Sequence, residues 1–210
     1  SPLFGSLTLP FVFLLGKRLF NSRIAFFATL FVAFLPLHIN SSVVSFTDSL
    51  TTFLAVAAVY LLFCRRIFLS ALFIGLSLEA KQTMLILVPL FFLVLLVYYR
   101  SNLRAFLSKS IVSGLIVAVI GLPWFARNYV LLGNPVWPFM SKLFGGLPLP
   151  ELVQEHAEFS FGYLFSLDRL ARFHLELFGA PIGSLSSLSF VNLPFLGAAA
   201  AVWVALTLLF

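Results

Sequence analysis

Residues 109–140 read KSIVSGLIVAVIGLPWFARNYVLLGNPVWPFM. No charge interrupts the stretch between Lys109 and Arg127, and an apolar run of about 20 residues is what a helix needs to cross a bilayer. The reading is a membrane helix over 109–126. Pro123 kinks its end, and Trp124 and Trp137 are amphipathic residues of the kind that mark a membrane–water interface. Gly133-Asn134-Pro135 signals a turn. Arg127 and Asn128 remain. An arginine at headgroup depth either anchors the helix or forks onto a phosphate.

Composition extends this reading to the whole chain. Hydrophobic residues make up 61%, charged residues only 10%, mean hydropathy is +1.11, and 27 of 210 residues are Phe. A water-soluble domain cannot hide so much apolar surface and still coat itself with charge. The expected fold is all-α: a multi-pass integral membrane protein with about seven spans. Their expected positions are 3–20, 24–40, 48–64, 67–80, 83–100, 109–126 and 189–210, the fourth having a short uncharged core. Three regions follow: a helical bundle over 1–126, an extracytoplasmic loop with interfacial helices over 127–188, and a further helix over 189–210. Ser1 is not a methionine and Phe210 lies in an apolar run, so the chain is expected to be a piece of a longer polytopic protein.

Alternating these spans segregates the charges. One set of loops carries Lys17, Arg18, Arg23, Arg65, Arg66, Arg100, Arg104 and Lys109 and no acid. The other carries Asp48, Glu79, Glu151, Glu155, Glu158, Asp168 and Glu176, together with His38, His156 and His174. Cations retained in the cytoplasm set orientation, so the acidic side is expected to be extracytoplasmic and to hold the polar chemistry. The basic excess is then a topology signal. The aromatic–basic interleaving of a nucleic-acid groove is absent, and nucleic acid is excluded as a partner.

The long outer segment has its own pattern. SLDRLARFHLELFG, from Ser166, spaces its apolar residues on one helical face and pairs Asp168–Arg172 and Arg172–Glu176 on another, which predicts an interfacial amphipathic helix. A second short helix is expected to start at Pro150. Glu151, Glu155 and Glu158 read as a solvated face, and His174 as structural.

Few residues are left for chemistry. Asp48 opens the third span with Thr47 as N-cap; its carboxylate is either stabilised by the helix dipole or faces a polar chamber. There it could bind an acceptor hydroxyl or, with His38, a divalent metal; no cofactor is otherwise implied. Lys81, in LEAKQTM, either closes a plain loop or meets a lipid phosphate. Cys64, beside Arg65 and Arg66, reads as a small apolar residue at a helix end. Phosphate-cradling, zinc-protease, serine-hydrolase and dithiol motifs are all missing.

Three stretches carry a resemblance: GKRLFNSRIAFFATLFVAFLPLHINSSVVSFTDSL (16–50), LFIGLSLEAKQTMLILVPL (72–90) and PWFARNYVLLGNPVWPF (123–139). In that order they resemble polytopic glycosyltransferases of the GT-C superfamily, on the branch of the protein O-mannosyltransferases and lipid A aminoarabinose transferases. The resemblance covers about a third of the chain, and the third stretch is its most specific part. It implies transfer of a sugar from a polyprenyl-phosphate carrier to a lipid, glycan or protein acceptor on the extracytoplasmic side, in the plasma membrane if the source is prokaryotic. It places the general base in a first outer loop upstream of Ser1, Asp48 at a second acidic position near the cavity, and Lys81, Arg127 and Asn128 by the carrier phosphate. The rival readings are a transporter or lipid flippase, disfavoured by charges confined to helix ends, and a non-catalytic membrane scaffold.

Overall fold

The computed structural model describes residues 2–43, 47–137 and 139–147. The expected interfacial helix from Ser166, the short helix from Pro150, the span over 189–210, and the acids and histidines they carry lie outside those residues. Among the described residues every regular element is helical and no strand occurs, as the all-α expectation requires. The helices are α1 (Pro2–Leu19), α2 (Ser22–Phe34), α3 (Pro36–Val43), α4 (Asp48–Phe63), α5 (Ile67–Ala80), α6 (Leu87–Tyr98) after a 3-10 turn over Gln82–Ile86, α7 (Leu103–Leu132) and α8 (Ser141–Phe144). The chain divides into two compact units, with the break inside α7 between Gly121 and Leu122.

Sequence breakers set the helix ends of the first unit. Asn21 adopts an extended conformation and its side-chain oxygen accepts from the Ile24 N–H at 3.0 Å, an N-cap that starts α2. Pro36 forces Leu35 out of the helical region because its ring crowds the preceding residue. The proline then serves as the first residue of α3, and α2 and α3 meet at a 58° bend. Arg65 takes a left-handed φ of 60°, which ends α4 and turns the chain into α5.

Side-chain contacts fix the helix directions. Phe4 and Phe11 of α1 meet Phe53 of α4 at 5.8 and 5.5 Å, Phe11 meets Tyr60 at 5.7 Å, and Arg18 Nε donates to the Phe63 carbonyl. Helices α1 and α4 therefore run parallel. Helix α5 returns antiparallel, with Ser70 Oγ donating to the Ala58 carbonyl at 2.7 Å. Helix α7 runs parallel to α5, with Lys109 over the Phe68 ring and Gly121 against Leu78. The core is Leu54, Ala57, Ala58 and Leu62 of α4, Ala71 and Ile74 of α5, and Phe91 and Leu95 of α6. A mainly apolar cavity of about 30 Å³ lies among these three helices.

Among the described residues, helix α7 alone is long and apolar enough to cross a membrane by itself, and the bent α2–α3 pair qualifies if taken as one span. Only 17% of α7's most apolar stretch is buried, unlike the core helix of a water-soluble domain. Expected spans 48–64, 67–80 and 83–100 appear as helices of the expected placement, but each is shorter than the length that qualifies alone.

The second unit corrects the opening stretch. The helix expected to finish by residue 126 continues through Pro123 to Leu132. A proline removes one ladder hydrogen bond, but the residues after it are ordinary helix formers, and the next breaker is Gly133. That glycine adopts φ 71° and donates its N–H to the Tyr129 carbonyl at 3.0 Å, the left-handed termination glycine allows. Arg127 and Asn128 are therefore helical residues, not part of a loop. Asn134, fully buried, organises the turn beyond: its amide donates to the Phe139 and Gly145 carbonyls at 2.9 and 3.1 Å, and its oxygen accepts from the Val136 N–H at 2.9 Å.

Candidate functional site

Two of the residues singled out from sequence meet in the first unit. The Lys81 ammonium pairs with the Asp48 carboxylate, and both side chains are largely buried, at 11% and 7% exposure. The chain geometry that joins them is local. Asp48 and Lys81 are equidistant from the Cys64–Arg65 step at which α4 folds back into α5, so an antiparallel hairpin of near-equal arms sets one against the other. Lys81 sits where α5 gives way to the 3-10 turn, in an extended conformation, with its N–H bonded to the Ser77 carbonyl.

Hydroxyl residues neighbour both partners in sequence. Ser49 and Thr51 are buried beside Asp48 in the first turn of α4. Thr51 Oγ1 donates to the backbone carbonyls of Asp48 and Thr47 at 2.9 and 3.2 Å. Ser77 is fully buried and donates to the Ile74 carbonyl at 2.7 Å. Thr83 Oγ1, just past Lys81, is buried without a hydrogen-bond partner among the described residues. Thr47 holds the N-cap position, but its side chain makes no capping bond; the carboxylate of Asp48 is the anionic group at this helix start.

Lys81 does not present an uncommitted cation to a phosphate, since Asp48 already holds it. Of the expected Asp48–His38 metal pair, Asp48 is engaged by Lys81. Among the described residues no three potential ligands gather around one point. Arg127 and Asn128, expected at one phosphate, are one residue apart on a helix and diverge. Arg127 is exposed, with its guanidinium 5.6 Å from the Trp124 ring centroid, whereas Asn128 is buried at 2% exposure.

The opposite end of the first unit holds a group that sequence reasoning read only as a topology signal. Arg18 Nε donates to the Phe63 carbonyl at the end of α4, Arg65 lies 3.4 Å over the Tyr98 ring, and Lys109 lies 4.7 Å over the Phe68 ring. Three cations thus tie α1 to α4, the α4–α5 turn to α6, and α7 to α5. The pairing of each cation with an aromatic or carbonyl was not legible because the partners are distant in sequence.

No family model matches the chain, and neither the curated proteins nor the solved structures yield a match.

Proposed function

We propose that this chain belongs to a multi-pass membrane glycosyltransferase that moves a sugar from a polyprenyl-phosphate carrier to an acceptor on the extracytoplasmic side. The observation that supports it most is the meeting of Asp48 and Lys81. They come from two of the three stretches that resemble GT-C enzymes, and they form a buried ion pair at the helix ends opposite the cationic loops. The membrane part of the reading draws on surface chemistry. Phe27, Phe34 and Val119 are 67%, 75% and 73% exposed, and soluble proteins rarely leave so much apolar surface open.

In the proposed reaction an acceptor oxygen attacks the anomeric carbon while the bond to the carrier phosphate breaks. The acceptor proton passes to a general base, which these residues do not identify, and polyprenyl phosphate leaves with its charge held by cations. Lys81 has three donors, so it can share a phosphate oxygen while Asp48 keeps its ammonium in place. Arg127, exposed beside Trp124 in the second unit, is an alternative candidate for a phosphate, independent of Lys81.

The 58° break between α2 and α3 favours one rival, since broken helices line transporter sites. One pair of measurements separates the two. Membranes containing the full-length protein are incubated with labelled polyprenyl-phosphate sugars, and both label transferred to acceptor and lipid-linked label moved between leaflets are followed. The proposal expects transfer, reduced on the order of 100-fold by Lys81→Met. Movement of intact donor without transfer establishes the transporter reading, and full transfer by Asp48→Asn, Lys81→Met and Arg127→Gln alike removes the site.

A further inference from the structure

The cationic end of the first unit carries more positive charge than its internal contacts use. Arg18, Arg65 and Lys109 are committed to Phe63, Tyr98 and Phe68. Lys17, Arg23, Arg66, Arg100 and Arg104 are exposed and make no ion pair among the described residues. The committed three bring the others to one end. Arg18 joins the α1–α2 turn, with Lys17 and Arg23, to the end of α4. Arg65 joins the α4–α5 turn, with Arg66, to the end of α6, two residues before Arg100. Lys109 joins the start of α7, with Arg104, to the start of α5. The acids among the described residues, Asp48 and Glu79, lie at the other helix ends. Like charges held together without counter-charge repel one another unless an anion is supplied.

Apolar side chains flank these cations. Phe20 and Ile24 beside Arg23 are 54% and 47% exposed, Leu69 beyond Arg66 is 48% exposed, and Leu103 and Leu107 around Arg104 are 68% and 48% exposed. A free phosphate would use the cations and leave this apolar rim in water; an anionic phospholipid satisfies both, its headgroup on the cations and its chains on the rim. We infer that this end binds anionic phospholipid headgroups through Lys17, Arg23, Arg66, Arg100 and Arg104. The inference rests on the membrane part of the reading above and not on sugar transfer.

The test uses the purified chain with vesicles of neutral phosphatidylcholine, with or without phosphatidylglycerol, and reads flotation followed by mass spectrometry of the retained lipid. Wild type should keep phosphatidylglycerol in preference to phosphatidylcholine, and the preference should shrink as salt rises, because screening shortens the reach of each cation. In Arg66→Gln/Arg100→Gln/Arg104→Gln the preference should fall by roughly fivefold per cation, on the order of 100-fold for the three, while Arg→Lys at the same positions should keep most of it. Equal retention of both lipids by wild type, a preference indifferent to salt, or a preference intact in the Gln variant would each overturn the inference. So would displacement of the lipid by inorganic phosphate at equal concentration. A chain that stays monodisperse without detergent and floats with neither vesicle overturns the membrane reading as well. A chain that floats equally with both overturns this inference alone.

Discussion

Asp48 and Lys81 are each expensive to hold in a buried setting alone. Taking either charge out of water carries a desolvation penalty that only the partner and nearby hydrogen bonds offset. The pair is therefore poor evidence of net stabilisation, yet breaking it is costly, because the survivor keeps its charge at 11% or 7% exposure. Asp48→Ala and Lys81→Ala should each lower unfolding free energy by about 3–5 kcal/mol, whereas Asp48→Leu/Lys81→Met should recover most of the loss. Reversible chemical unfolding in detergent micelles measures all three. Single variants as stable as wild type would mean that the two side chains do not depend on each other. The exposed Arg127–Trp124 contact offers a contrast, since a cation over a ring in that setting is worth no more than about 1 kcal/mol.

The Gly133 turn was legible from the sequence because it depends on a residue with a local effect, whereas the span expected over 24–40 runs through Pro36, where the structure divides α2 from α3 because the proline acts on its predecessor. The Pro123 boundary was not legible either, because a proline's local cost competes with the helix-forming residues on both sides, and here they prevail through Leu132. The Asp48–Lys81 pair was half legible. Both residues stood out as charges at apolar helix ends, but the equal arms of the α4–α5 hairpin were needed to join them. How α5 packs on α7 was hidden, since it turns on the absence of side chains. A Cβ at Gly75 would lie 2.8 Å from the Ile120 Cβ, and one at Gly121 would lie 3.0 Å from a Leu78 methyl; small residues let the two backbones approach. Gly75→Ala meets a branched carbon close to its backbone and should destabilise by about 1–3 kcal/mol through overpacking, with Ile120→Ala in the same chain restoring part of it. Thermal unfolding of the single and double variants decides this; a Gly75→Ala variant no less stable than wild type would remove the close approach.

Across the molecule, the helix directions set by Phe4–Phe53, Ser70–Ala58 and Lys109–Phe68 carry the cationic turns to one end and Asp48, Glu79 and Lys81 to the other. A sequence alternation of apolar runs predicts the same separation, so charge pattern and packing agree without sharing a premise. In the proposed membrane protein this has one consequence for topology. Cationic loops near helix ends stay in the cytoplasm, and the short α5, which lies between Arg66 and Glu79, must then carry the chain across the bilayer. Its 14 residues extend about 21 Å at 1.5 Å per residue, less than the roughly 30 Å hydrocarbon core, so local thinning of the bilayer or a re-entrant path is the alternative to a full crossing. Cysteine labelling separates these. In a Cys64→Ser background, Arg66→Cys and Glu79→Cys are treated in intact cells with a membrane-impermeant maleimide, then with a permeant one. Glu79→Cys should react with the impermeant reagent and Arg66→Cys only with the permeant reagent. If both positions react with the impermeant maleimide, or neither does, α5 does not cross, and the buried Asp48–Lys81 pair lies on the side of the membrane where the cations are.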